Sequence, residues 1–143
     1  MTTCVLDASV AAKWFLPRAQ ETLTAEALRL LEGYAKGHTR FLVPDLFWAE
    51  FGNILWKAVR LGRISRPSAE AAVVALEERK IPTTPTLLLL EDALGIAAMV
   101  DRTVYDCIYV ALSAASNAPL VTADEQLVNA LAARFPVRWL GSL

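Results

Sequence analysis

Short β-like apolar runs alternate along the chain with helix-length segments, and this alternation restricts the fold to an α/β domain with a mainly parallel sheet. Thr3–Leu6 reads as the first strand, Phe41–Val43 as the second and Leu120-Val121 as the third. Val137–Leu140 reads as the last strand, and Ile81-Pro82 as a brief edge-like segment. Between them, Ala8–Leu16 is a short helix stopped by Pro17. Apolar residues at 23, 27, 28, 30, 31 and 34 make Glu21–Lys36 an amphipathic helix ended by Gly37. Further helices are expected from Pro44-Asp45 to about Leu61, from Ser68 to Arg79 and from Leu87 to Val100. Tyr105–Ala115 and Glu125–Arg134 complete the set.

No repeat, low-complexity tract or dividing linker interrupts this pattern, so residues 1–143 are expected to form one domain. A chain of that length buries about two-thirds of the surface its unfolded form exposes. At 55 % hydrophobic and a mean hydropathy of +0.39 it is unusually apolar. A dense core accounts for that excess, and so does a greasy surface covered by a partner. The longest apolar stretch, Pro85–Val100, is broken by Glu91 and Asp92, which argues against a membrane span. Met1-Thr2-Thr3-Cys4 has no basic region and Asp7 comes too early for a signal peptide. Cys4 and Cys107 lie in apolar runs and read as small buried hydrophobes, so a cytoplasmic location is expected. A net charge of −1 provides no global attraction to nucleic acid, so such a partner needs a local basic patch.

Four acids stand in settings where a charge is costly unless compensated. Asp7 ends the run Cys4-Val5-Leu6, and Asp124 closely follows Leu120-Val121-Thr122-Ala123. Glu50 and Asp106 sit among apolar and aromatic residues on helices. Taken singly, most have ordinary readings. Asp7 caps the helix beginning at Ala8, and Asp106 suits a helix's first turn. Thr122 and Glu125 have capping-box spacing, which makes Asp124 a first-turn acid. Glu50 shares one helical stripe with Asn53 and Lys57, either a solvated face or a site-facing carboxylate with an orienting amide. Open α/β sheets place their sites beyond the carboxyl ends of the strands, so Asp7 and Asp124 meet if their strands are neighbours.

Grouped, the four acids suit hard-cation chemistry, because Mg²⁺ and Mn²⁺ prefer oxygen ligands and would relieve the repulsion among clustered carboxylates. One or two such ions activate a water and stabilise charge on a phosphoryl oxygen, the combination that phosphodiester hydrolysis needs. Other chemistries lack their residues. His38 lies in an apparent loop between Gly37 and Thr39, no Cys/His spacing suits zinc, and no phosphate-binding glycine loop is present. Ser9, two residues after Asp7, reads as a hydroxyl beside the site or as a helix-start serine.

At these residues the chain resembles the PIN-domain nucleases, specifically the VapC-type toxin ribonucleases of toxin–antitoxin pairs. The matching segments are Val5-Leu6-Asp7-Ala8-Ser9, Ala49-Glu50-Phe51-Gly52-Asn53, Tyr105-Asp106-Cys107-Ile108-Tyr109-Val110-Ala111-Leu112 and Leu120-Val121-Thr122-Ala123-Asp124. Their order and spacing match over essentially the full length. The resemblance implies a three-layer α/β/α domain in which Asp7, Glu50, Asp106 and Asp124 bind Mg²⁺ or Mn²⁺. It implies that Thr122 is the hydroxyl residue near the last acid and that Asn53 occupies a polar position after the glutamate. Structured RNA, often tRNA or rRNA, is the implied substrate. A homodimer is implied, inhibited by a cognate antitoxin that wraps the toxin and brings an arginine to the pocket. The chain departs from many relatives in following its last acid with Glu125-Gln126 rather than basic residues. Candidate phosphate contacts are therefore Lys13, Lys57, Arg60, Arg63 and Arg66, the last four of which alternatively form a solvated helix end. Trp14, Phe15, Phe47, Trp48, Phe51 and Trp56 read mostly as core, with some available to line a groove for an antitoxin helix. A nuclease directed at DNA or flaps, or a silent binding module with the same fold, would retain the same segments.

Overall fold

The computed structural model describes residues 1–143 as five parallel strands flanked by seven α-helices. The strands are β1 (Thr2–Leu6), β2 (Thr39–Pro44), β3 (Thr83–Thr84), β4 (Leu120–Thr122) and β5 (Val137–Trp139). The helices are α1 (Ala8–Ala12), α2 (Thr24–Ala35), α3 (Leu46–Arg60), α4 (Arg66–Glu77), α5 (Leu90–Val100), α6 (Val104–Ser116) and α7 (Glu125–Leu131). Strand order is β3-β2-β1-β4-β5, and every pairing is parallel. The sheet therefore grows in one direction from β1 through β2 to β3, then reverses and grows from β4 to β5. That reversal places a topological switch point between β1 and β4, where open α/β sheets form their crevices. Leu6 pairs with Val121, so Asp7 and Asp124 leave the same sheet edge. The sequence expectation of an α/β fold holds.

The core accounts for part of the apolar composition, and exposed Leu61, Leu87, Leu88, Leu94 and Met99 hold another part at the surface. Val5, Leu6, Phe41, Val43, Leu120 and Val121 are buried in the sheet, against Phe47, Phe51 and Leu55 of α3 and Cys107–Leu112 of α6. α6 is buried along most of its length, which is why its sequence reads apolar without a strong stripe. Cys4 and Cys107 are both free and buried, and burial pushes the Cys4 thiol up to about 12. No helix is long and apolar enough to cross a membrane.

Several boundaries differ from the sequence reading for local reasons. α2 begins at Thr24 rather than Glu21, because Leu23 takes a left-handed conformation (φ 58°) and Glu21 is drawn into a tertiary ion-pair network. α4 starts at Arg66, capped by Ser65, whose hydroxyl accepts from the Ser68 N–H at 3.2 Å, with Pro67 in the first turn. The segment before α5 forms a 3₁₀ turn at Thr86–Leu89, where Thr86 is tied to Asp45 across the sheet edge. The edge strand falls on Thr83–Thr84 instead of Ile81-Pro82, because Val43 and Pro44 set its register.

The Glu21 network joins three connecting segments. Glu21 Oε1 accepts from Lys13 Nζ at 3.1 Å, and Oε2 accepts from Arg63 Nη2 at 2.7 Å. Burial alone would raise the Glu21 pKa, but hydrogen bonds from Arg63 and Lys13 and their charges outweigh it and hold it low. Lys13 is only 9 % exposed, so it needs this partner. Glu21→Ala is expected to cost about 2 kcal/mol, below the roughly 3–5 kcal/mol of a fully buried pair because Arg63 reaches water. Urea unfolding checks this, and a midpoint equal to that of the parent protein would contradict it.

Candidate metal-binding and nuclease site

Asp7 ends β1 and caps α1, accepting the Ser9 N–H on Oδ1 at 3.4 Å. Its other oxygen accepts the Thr122 hydroxyl at 2.6 Å, a bond from the neighbouring strand β4. Thr122 Oγ1 in turn accepts the Asp124 N–H at 3.1 Å, and Ser9 Oγ accepts the Ala123 N–H at 3.3 Å. The two strand ends are thus stitched together by hydroxyls. Asp124 itself is the N-cap of α7, accepting the Leu127 N–H at 3.2 Å. The capping box expected from Thr122 and Glu125 does not form, because Thr122 is the last residue of β4 and its hydroxyl is committed to Asp7.

Glu50 comes from the middle of α3, where Phe47 and Phe51 face the core and leave Glu50 half-buried at its margin. The Tyr109 hydroxyl of α6 donates to Glu50 Oε1 at 2.6 Å. Asp106 lies in the first turn of α6, whose cap Thr103 accepts the Asp106 N–H at 3.1 Å. Asp7, Glu50, Asn53 and Ser9 line an open cavity of about 410 Å³, with Tyr105 closing one side. Lys57, next along the Glu50 stripe, does not reach that cavity.

The electrostatics of these acids are mutual. Burial pushes the Asp7 carboxyl up, hydrogen bonds from Thr122 and Ser9 pull it back, and the Asp106 charge raises it further. Burial also raises Glu50 against the Tyr109 hydrogen bond, with the charges of Asp7 and Asp106 adding to the rise. Tyr109 is pushed far up by burial and then by Asp7 and Glu50, so it remains a neutral donor. Asp7, Glu50 and Asp106 therefore feel one another. Asp124 is exposed at the rim and connects through Thr122 and Arg102.

Arg102 is a residue that sequence reasoning passed over. Its Nη2 is 3.3 Å from Asp106 Oδ2 and 3.8 Å from Asp124 Oδ2. Its signal was the spacing of four to Asp106 from the connection before α6, and that of Tyr109 was the spacing of three, one turn further along α6. Of the five candidate phosphate contacts, Lys13 and Arg63 are bound to Glu21, and Arg66 pairs with Glu70 at 2.8 Å. Lys57 and Arg60 are exposed on the last turn of α3 and form no ion pair.

The family model described as PIN domain matches residues 4–131, a span that contains all four acids. The chain belongs to the PIN-domain family. Within it, the chain is 32 % identical over 127 residues to Ribonuclease VapC3 of Pyrobaculum aerophilum, covering 87 % of this chain and 92 % of that protein. The fold of this PIN domain is shared with a crystal structure of VapC20 from Mycobacterium tuberculosis, described as a sarcin–ricin loop cleaving toxin. That match has a TM-score of 0.68 at 18 % identity, over 92 % of this chain and 95 % of the other. A chain of a toxin–antitoxin complex from Klebsiella pneumoniae superposes with a TM-score of 0.65 at 13 % identity, covering 94 % and 95 %. The VapC-type PIN fold expected from the four sequence segments is therefore the fold observed.

The donor set of this PIN domain suits a hard cation. It consists of carboxylate and hydroxyl oxygens alone, and after burial the Asp106 charge raises Asp7 and the Asp7 and Asp106 charges raise Glu50. No three of these side chains are already gathered as a ligand set. Arg102 holds Asp106 and Asp124, and Tyr109 holds Glu50, so closure around a cation requires side-chain rotation.

Proposed function

We propose that the chain is a Mg²⁺- or Mn²⁺-dependent endoribonuclease toxin of a toxin–antitoxin pair, cutting structured RNA such as tRNA or rRNA in the cytoplasm. The observation that carries this reading is that Asp7, at the β1/β4 switch point, and Glu50 line one cavity, both raised in pKa by burial and by the nearby Asp106 charge. The ribonuclease name of the VapC relative supports the reaction, and the description of VapC20 as cleaving the sarcin–ricin loop supports a structured RNA.

Asp7 and Asp106 are the most direct ligands, with Glu50 and Asp124 acting directly or through water. A cation held by these carboxylates would lower the pKa of a water and stabilise charge on a phosphoryl oxygen. Thr122 and the Ser9 N–H hold the Asp7 carboxylate in one orientation. Glu50, raised in pKa and oriented by Tyr109, is suited to accept the proton of the attacking water. Asn53 lies at the mouth of the cavity, where its amide can hydrogen-bond substrate or water. Lys57 and Arg60 are the best placed of the basic residues to meet phosphates. Lys13, Arg63 and Arg66 join them only if released from their carboxylates.

The partners follow from surfaces. Exposed Trp56 and Val73 border a cavity of about 240 Å³ between α3 and α4, an apolar groove suited to an antitoxin helix. The Klebsiella pneumoniae neighbour, a toxin–antitoxin complex, supports a protein inhibitor of this kind. Leu87, Leu88, Leu90, Leu94 and Met99 expose apolar surface around α5, which suits a homodimer.

The decisive experiment maps new RNA 5′ ends in cells expressing the wild-type chain or Asp7→Asn. The expected result is a site-specific cut present only with wild type. Identical RNA ends from both would overturn the proposed function.

A further inference from the structure

We propose that Arg102 is a displaceable guanidinium, holding Asp106 and Asp124 in the cation-free protein and turning to a substrate phosphate once a cation takes those carboxylates. The inference rests on the proposed metal-dependent RNA cleavage and adds a residue to it.

The placement of Arg102 is fixed at its backbone and loose at its tip. It lies in the short connection between α5 and α6, after Asp101, which ends α5 in a left-handed conformation (φ 55°), and before Thr103, which caps α6. At the other end of the side chain, one nitrogen serves two carboxylates from different elements, at 3.3 and 3.8 Å. Charge-assisted N–H···O bonds settle at about 2.7–2.9 Å, so neither contact is at its preferred length. The Nε–H, meanwhile, is buried and has no acceptor at all. A guanidinium that serves two acids from one nitrogen and leaves the buried Nε–H idle has not found the bidentate oxygen partner its planar fork matches. A phosphate offers that partner, two oxygens in one plane with a negative charge.

Competition follows from the same geometry. Asp106 and Asp124 are acids expected to serve a cation, and a Mg²⁺-sized ion approaches carboxylate oxygens to about 2.0–2.1 Å. A cation there displaces the guanidinium, and the freed side chain stays at the same rim. Cation binding and phosphate binding are thereby coupled through one side chain, and the coupling is reciprocal.

Three proteins test this: wild type, Arg102→Gln, which removes the charge, and Arg102→Lys, which keeps the charge without the fork. Calorimetric titration with Mn²⁺ alone is expected to show three- to tenfold tighter binding by R102Q, the size of one or two exposed ion pairs. R102K is expected to remain near wild type. Fluorescence anisotropy with labelled bulk tRNA is then read in EDTA and in Ca²⁺. Wild type is expected to gain RNA affinity on adding Ca²⁺, and R102Q to lose roughly tenfold relative to wild type in Ca²⁺ but little in EDTA, as for one charge-assisted phosphate contact. R102K is expected to fall between them. Mn²⁺ affinity unchanged or weakened in R102Q would overturn the competition. An equal loss of RNA affinity with and without Ca²⁺ would make Arg102 a permanent phosphate contact and overturn the switch. If wild type binds no Mn²⁺, the proposed function falls and takes the inference with it, whereas failure of the variants alone leaves that function standing.

Discussion

Purified Asp7→Asn protein is expected to cleave RNA at least about a thousandfold more slowly than wild type, with the fold retained. The size follows from the proposed role: several kcal/mol of transition-state stabilisation would depend on a cation held by Asp7, and each 1.36 kcal/mol is a factor of ten. Retention of the fold follows from the local structure. Asp7 caps α1 through the Ser9 N–H, and asparagine is as good a cap as aspartate. The Thr122 hydroxyl loses a charged acceptor, which costs about 1 kcal/mol, while removal of a buried carboxylate raised in pKa works in the opposite direction. Thermal denaturation and circular dichroism check the fold, and timed cleavage with Mn²⁺, against an EDTA control, checks the rate. Cleavage within tenfold of wild type by well-folded Asp7→Asn would remove Asp7 from the site.

In EDTA the protein is expected to lose stability as pH rises above about 4.5, and Mn²⁺ is expected to restore it at about pH 8 but not at about pH 4. The sign comes from the direction of the shifts. Asp7 and Glu50 have native pKa values above their ordinary 3.8 and 4.5, so the native state holds more protons than the unfolded chain between those values and the raised ones. Stability therefore falls with rising pH across that window. Glu21 and Asp45 are shifted the other way: for each, burial works upward and hydrogen bonds prevail for Glu21, while for Asp45 the hydrogen bonds from Thr86 lead. Their contribution is present above their ordinary values and is lost as pH falls through the lowered ones, so above 4.5 only the raised groups still change stability. A cation bound at a hundred times its dissociation constant adds about 2.7 kcal/mol, enough to shift the thermal midpoint by several degrees. An equal Mn²⁺ effect at both pH values would show that the raised carboxylates are not the ligands.

The two experiments probe different properties of the same acids. One reads whether Asp7 is needed for reaction, and the other reads whether the carboxylates repel one another until a cation arrives. Antitoxin binding at the α3–α4 groove would be a third, separable property, because Trp56 and Val73 belong to a different cavity from Asp7 and Glu50.

Much of the fold was written in local pattern. The apolar runs at Thr3–Leu6 and Leu120-Val121, the long amphipathic segment through Glu50 and the helical run Tyr105–Ala115 are properties of neighbouring residues, and short-range sterics and periodicity decide them. Three acids at strand ends and helix starts, and Glu50 in the middle of a helix, were visible for the same reason. What local pattern does not carry is which strands become neighbours. β1 pairs with β4 rather than with β5, and only that choice lets Thr122 donate to Asp7 across 115 residues of chain. Tyr109 meets Glu50 across 59 residues, and Arg63 meets Glu21 across 42. Lys13 and Arg63 look like free cations in sequence and become ion-pair partners in three dimensions, because a partly buried carboxylate is stable only when cations close on it. The sequence by itself determined an α/β chain with three acids at the ends of its elements and a fourth within a helix. The tertiary structure alone decided that three of those acids share one field, and that Arg102 stands between two of the four.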